Sequence, residues 1–280
     1  MPTECYEPRA AAAGDSALFP ASSRSLFQNC QVIAYYGYPG NRWLGVLGEF
    51  DSYERLGASL QEMADAYDEV NGNRQAVGAL HLIAAVAQDS PQADGSHLYR
   101  MPGELIQQYV AIAEIYDFIV FLDLQIGTSD VASEVQRILP YLTHPRVHLA
   151  LDPEWTMPPG VTPGTFIGSM DASAINTAQQ MLQEVVDETR LPSKILVVHQ
   201  FTESMITNKA LIERLPGVDL VVDMDGFGGR EIKLQHYQWY VVDQGAPHGG
   251  MKLFFDEDID MFQPADMMEI VPQPDYVQYQ

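Results

Sequence analysis

The sequence predicts an α/β fold: a single (β/α)8 barrel, with an irregular leader over residues 1–30 and the barrel domain, including an irregular C-terminal tail, over 31–280. Three observations carry this prediction. Short apolar runs alternate with segments of helical spacing, which is the pattern of a parallel sheet covered by helices. Eight such units fit into 280 residues, the usual size of a closed barrel. Several runs also end on acids or amides, and a barrel gathers its strand C-termini at one mouth. An open doubly wound sheet is the alternative arrangement of the same units.

The first strand, 31–38 (QVIAYYGY), stops at the turn Pro39-Gly40-Asn41. A loop holding Arg42, Trp43 and Glu49 leads to a helix over 53–70, with Leu56, Leu60, Met63, Ala64 and Tyr67 at helical spacing. The second strand, 80–86, runs into Gln88 and Asp89, and a helix follows over 102–116 with Pro102 at its start. The third strand, 118–124, puts Asp123 and Gln125 on one face, before a helix over 130–141 capped by Thr128 or Ser129. The fourth is VHLALDPEW, 147–155. Alternation places Asp152 and Glu154 on the face of Ala150, with Leu149 and Leu151 opposite, and Pro153 marks the strand edge. A fifth strand is expected over 166–170, then a helix over 174–189 capped by Asp171 or Ser173. The sixth, 194–201, exits at His199 and Gln200 ahead of a helix over 203–215. The seventh, 219–225, places Asp223 and Asp225 together, followed by a helix over 231–242. The eighth, 251–255, runs into Asp256-Glu257-Asp258, and the tail 259–280 is expected to drape over the surface.

Composition narrows the function classes. Asp+Glu number 38 against 15 Lys+Arg, a net charge of -23, which excludes the basic footprint of a nucleic-acid binder and disfavours docking on anionic lipid. No apolar run approaches the roughly 18 residues of a membrane span, so none is expected. The first 30 residues lack a basic start and an apolar stretch, so no signal peptide is visible. Cys5 and Cys30 either form a disulfide pinning the leader to the first strand or are free thiols; two cysteines without a His/Cys cluster do not make a zinc site.

The expected mouth is a ring of acids, amides and aromatic rings, which suits sugar chemistry. One carboxylic acid protonates the leaving oxygen and a second carboxylate attacks or activates water. Glu154 is the expected general acid, Asp152 its orienting or tuning neighbour, and Asp225 or, less favoured, Asp123 the second carboxylate. Tyr36, Trp43, Gln125, Trp155, His199, Gln200, Asp223 and Glu257 are the expected substrate contacts, through stacking and hydrogen bonds to hydroxyls. Each also has a structural reading, such as a turn residue or a core histidine satisfied by its neighbours. Other chemistries lack their motifs. Tyr35-Tyr36-Gly37 replaces the H-x-H of barrel amidohydrolases, H-E-x-x-H and G-x-S-x-G are absent, and GFGG is no phosphate loop. No cofactor and no metal ligands are expected, although a carboxylate-bound Ca²⁺ or Mg²⁺ stays open.

The segments YYGYPGNRWLGVLGEF, FLDLQIG, LALDPEW, IGSMDA, VVHQF and MDGFG resemble a group of secreted or lipid-anchored bacterial barrel proteins from actinobacteria and related phyla, over roughly 31–280. The resemblance implies a barrel and an extracytoplasmic home, and no particular reaction. More loosely, LDPE is similar to the D-x-E of chitinase-like and muramidase-like glycosidases. The longer D-x-x-D-x-D-x-E signature is missing, with Ala150 and His148 at the two positions upstream of Asp152. The resulting expectation is a secreted or cell-surface glycoside hydrolase acting on a polysaccharide or cell-wall glycan. The alternatives are a non-catalytic glycan-binding barrel and a metal-dependent hydrolase of another bond.

Overall fold

A computed structural model describes Cys5 and residues 25–280. Eight parallel strands close a barrel: β1 (Cys30–Gly37), β2 (Gln75–Ala87), β3 (Ile119–Gly127), β4 (Val147–Thr156), β5 (Lys194–Gln200), β6 (Val218–Met224), β7 (His248–Leu253) and β8 (Tyr276–Tyr279). Each pairs with its sequence neighbour, and β8 pairs with β1 to close the ring. Helices α1 (Tyr53–Asp68), α2 (Gly103–Tyr116), α3 (Val131–Leu142), α4 (Ala172–Thr189) and α5 (Arg230–Tyr237) follow strands on the outside, with a one-turn α6 (Pro264–Met267) before β8. The leader lies outside the described residues except for Cys5 and residues 25–30. Of the two readings open for the cysteines, the disulfide holds: Cys5 is bonded to Cys30 at the start of β1.

Side-chain alternation divides the apolar residues between two cores. Leu149, Leu151, Leu196, Val198, Leu220 and Val222 face outward into the layer shared with the helices. Ala34, Ala79, Phe121, Ala150, Val197, Val221 and Tyr276 fill the barrel's interior. Each fully buried aliphatic side chain contributes about 1.5–3 kcal/mol relative to exposure. The polar residues one step further along the same inward rows must therefore sit inside the barrel, stacked above that apolar plug. Register makes the stacking specific: His199 pairs with Asp223, and Asp223 with Gly250. A Cβ at Gly250 would meet the Asp223 carboxylate at 2.7 Å, so glycine makes room for that acid.

Four expectations are corrected. Residues 166–170 form no barrel strand; only Met170–Asp171 is extended, paired outside the barrel with Ile206–Thr207. The chain there folds back along the exit of β4, where Gly168 N–H donates to the Glu154 carbonyl at 2.6 Å, an approach a side chain would block. The helix over 203–215 is replaced by two 3-10 turns, Glu203–Met205 and Lys209–Leu211. Asn208 lies between them with φ 53°, and its side chain is held by Asp171. The tail does not drape over the surface at its end. Tyr276–Tyr279 is the buried eighth strand, and the Tyr279 hydroxyl lies 2.8 Å from that of Tyr67. The run expected as eighth belongs to β7, the seventh. Finally, β4 does not stop at Pro153 but reaches Thr156 across an irregularity, Gln125 facing Asp152 and Gly127 facing Thr156. Pro153 has no N–H to give the ladder, and the irregularity absorbs it.

Candidate active site

At the C-terminal end of the strands a cavity of about 450 Å³ opens, lined by β-strand exits from around the ring. Glu154 and Asp152 reach it from β4, Asp225 from just beyond β6, Lys252 from β7, Tyr36 from β1 and Gln125 from β3. Trp155 follows Glu154 into the same space, because the irregularity at Pro153 breaks strict alternation. Trp43, 86% exposed, and Phe227, 67% exposed, stand on its rim, with Phe201 and Phe254 further in. Flat apolar faces held in solvent beside carboxylates are what the face of a sugar ring stacks on.

Three carboxyls share this cavity and differ in environment. Burial raises the Glu154 carboxyl above its ordinary range, and the Asp225 charge adds to the rise. Burial also holds Asp152 well above the carboxylate range; His199 pulls against it, while the charges of Asp123, Glu154 and Asp225 add to the rise. Its Oδ1 accepts the Glu154 N–H at 3.0 Å, which ties the two acids of LDPE together. Asp225 goes the other way. Burial pushes it up, but Lys252 and His199 overcome this and hold it below its ordinary range. The Lys252 ammonium stands 3.1 Å from Asp225 Oδ1 and 3.8 Å from the centre of the Tyr36 ring, a cation–π contact.

Beneath the floor lies a second polar layer. Asp123, His199 and Asp223 are fully buried there together with His81. His199 spans the two layers, its Nδ1 lying 3.2 Å from Asp225 and 3.3 Å from Asp223. The expected residues therefore separate. Glu154, Asp152, Asp225, Tyr36, Trp43, Gln125 and Trp155 line the cavity. Asp123, His199 and Asp223 do not line it and are fully buried. Gln200 follows His199 by one residue and so points away; it bonds Lys209 and the Thr202 carbonyl. Glu257 is exposed on an adjoining cavity of about 480 Å³ that shares Trp43. Its neighbour Asp258 is a structural acid, paired with Lys233 at 2.9 Å.

Lys252 and His81 were missed by the sequence reading, although a signal was present. Each is a lone polar residue in an apolar run, LHLIAAV and MKLFF, on an inward row. A buried cation needs a carboxylate partner, so Lys252 implied one on a neighbouring strand.

Fold and site together define a (β/α)8 barrel with an acidic, aromatic-rimmed cavity at the C-terminal face. No family model matches the chain, and no curated protein matches it. Among solved structures, a hyperthermophilic endo-β-1,4-glucanase crystallised in complex with substrate is similar over 89% of this chain and 88% of that chain, with 8% sequence identity and a TM-score of 0.41. At that level the likeness decides nothing about the cavity, whose chemistry rests on its own residues.

Proposed function

We propose that the chain is a glycoside hydrolase whose substrate, an oligo- or polysaccharide, binds in the cavity over β4, β6 and β7. Glu154 is the general acid: its environment favours the protonated form at pH values where an ordinary glutamate has ionised. Asp225, ion-paired with Lys252, is the ionised partner that attacks the anomeric carbon or activates water. Asp152 orients the LDPE turn through the Glu154 N–H. Trp43, Trp155 and Phe227 stack on sugar faces. Asp225, which lines the cavity, is preferred over the fully buried Asp123 as the second carboxylate. An extracytoplasmic home agrees with the Cys5–Cys30 disulfide, a bond that persists in oxidising compartments. No described helix is long and apolar enough to cross a membrane.

One observation carries the reading: two carboxyls from different strands, with opposite proton preferences, line one aromatic cavity. The test is hydrolysis of a panel of α- and β-linked oligosaccharides and cell-wall glycans by the wild type, Glu154→Gln and Asp225→Asn. On a cleaved glycan, both substitutions are expected to lower kcat about 10²–10⁴-fold. Undiminished turnover by Glu154→Gln would remove the assignment. Saturable glycan binding without cleavage would make the protein a glycan-binding barrel instead.

A further inference from the structure

The layer beneath the cavity holds polar atoms that the protein itself does not satisfy. His81 Nε2, both Asp123 carboxylate oxygens, both His199 ring nitrogens and both Asp223 oxygens are buried without a hydrogen-bond partner. All four residues are fully inaccessible to solvent. Burying such groups unpaired costs on the order of 1–3 kcal/mol apiece, more when charged. Three of these residues, His81, Asp123 and His199, each bring a ligand atom to one place, which calls for something between them.

Their geometry says what. Asp123 Oδ2 is 3.3 Å from His81 Nε2 and 3.4 Å from His199 Nε2. Those separations are long for charge-assisted hydrogen bonds, which settle near about 2.7–2.9 Å. They match the edge of a tetrahedron, roughly 3.3–3.4 Å, drawn around an ion with bonds of about 2.0–2.1 Å to nitrogen and oxygen. One ligand atom from each of the three residues falls within 4.8 Å of the others. A buried water could engage some of these atoms, but the near-equal spacing of Asp123 Oδ2 from the two imidazole nitrogens fits a small ion held between them.

We propose that His81, Asp123 and His199 bind a divalent transition-metal ion of the zinc type. Two imidazoles and one carboxylate select such an ion over Ca²⁺ or Mg²⁺, which take oxygen ligands. The outer partners fit as well. Metal-bound histidines direct their second nitrogen to a carboxylate or another acceptor, which fixes the ring. His199 turns Nδ1 to Asp223 and Asp225, and His81 turns Nδ1 to the Tyr276 hydroxyl at 2.6 Å. Three protein ligands leave a tetrahedral ion one further position. The ion also steadies Asp225 from below through His199. Metal binding stands apart from the glycosidase reading, and the tests below require no glycan.

Metal content is measured by mass spectrometry on the full chain purified without a histidine tag. The chain is then stripped with a chelator and titrated with Zn²⁺, with Mg²⁺ and Ca²⁺ as controls. About one equivalent of bound transition metal is expected, with a rise in Tm on adding Zn²⁺ and none with Ca²⁺ or Mg²⁺. Co²⁺ in place of Zn²⁺ should give the intense visible bands of a tetrahedral site, a readout that needs no variant. His81→Gln and Asp123→Asn should abolish the bands. Tyr276→Phe keeps the ring that fills the barrel and should weaken Zn²⁺ binding about 10–100-fold. A stripped chain with neither a Tm response to Zn²⁺ nor Co²⁺ bands overturns the proposal. So does binding that survives His81→Gln and Asp123→Asn unchanged, which would place the ion on surface histidines.

Discussion

Glu154 owes its proposed role to its surroundings more than to its position in the motif. In that role it must supply a proton, so activity requires the protonated form and falls as pH rises through the Glu154 pKa. Burial and Asp225 raise that pKa, while the Lys252 ammonium lowers it. Removing the cation should therefore raise it further. Lys252→Met is predicted to move the alkaline limb of kcat/KM to higher pH, measured on whichever glycan the wild type cleaves. A limb that stays in place or moves down would show that Glu154 does not set it. The side chains that supply this environment were unevenly legible. Asp152, Glu154 and Asp225 stood out because acids at the end of an apolar strand are costly without a task. Lys252 did not, because a single lysine in a strand reads as a snorkelling surface residue until its inward row is known.

At the scale of elements, period-2 alternation was legible wherever a strand ran long enough to show both faces. β3, β4 and β6 each display an outward apolar row and an inward row that ends in acid, and their inward residues could be read directly. Four residues, YVQY, do not display a period, and Pro272 and Pro274 just ahead of them look like a loop; β8 is recognisable only from the ring it completes. The segment after β5 fails for the opposite reason. Its spacing suits a helix, but Asp171 across the loop offers the Thr207 and Asn208 side chains better partners. Strand β5 also carries a cost at its N-terminal end. Lys194 is buried there, donating to the His144 and Val147 carbonyls at 2.7 and 2.9 Å, and burial pulls its pKa down to about 7. The folded pKa lies below the unfolded value, so between about 7 and about 10.4 the unfolded chain binds more protons and stability rises with pH. Below about pH 7 the penalty is present in full. The difference in urea midpoint between wild type and Lys194→Met is predicted to shift in favour of the wild type from pH 6.5 to pH 9. A difference independent of pH would mean that Lys194 titrates normally.

The whole molecule carries its -23 charge unevenly with respect to what salt can reach. The interior pairs, Lys252 with Asp225 and Lys233 with Asp258, lie in surroundings that mobile ions do not enter. The remaining acids outnumber the bases on the surface, where their repulsion opposes the compact state. Repulsion of this kind is screened beyond a Debye length, about 10 Å at 0.1 M salt. Exposed attractive pairs such as Arg55 with Asp51 weaken over the same range, yet each is worth little, roughly 0–1 kcal/mol. With 38 acids facing 15 bases, the repulsive sum is the larger, so Tm should rise as NaCl goes from about 10 mM to about 0.3 M. The scan is best run with a chelator present, which keeps any metal-linked change in Tm out of the comparison. A fall in Tm over that range would mean that local ion pairs outweigh the net charge, and that the acids are arranged around the bases closely enough to hide it.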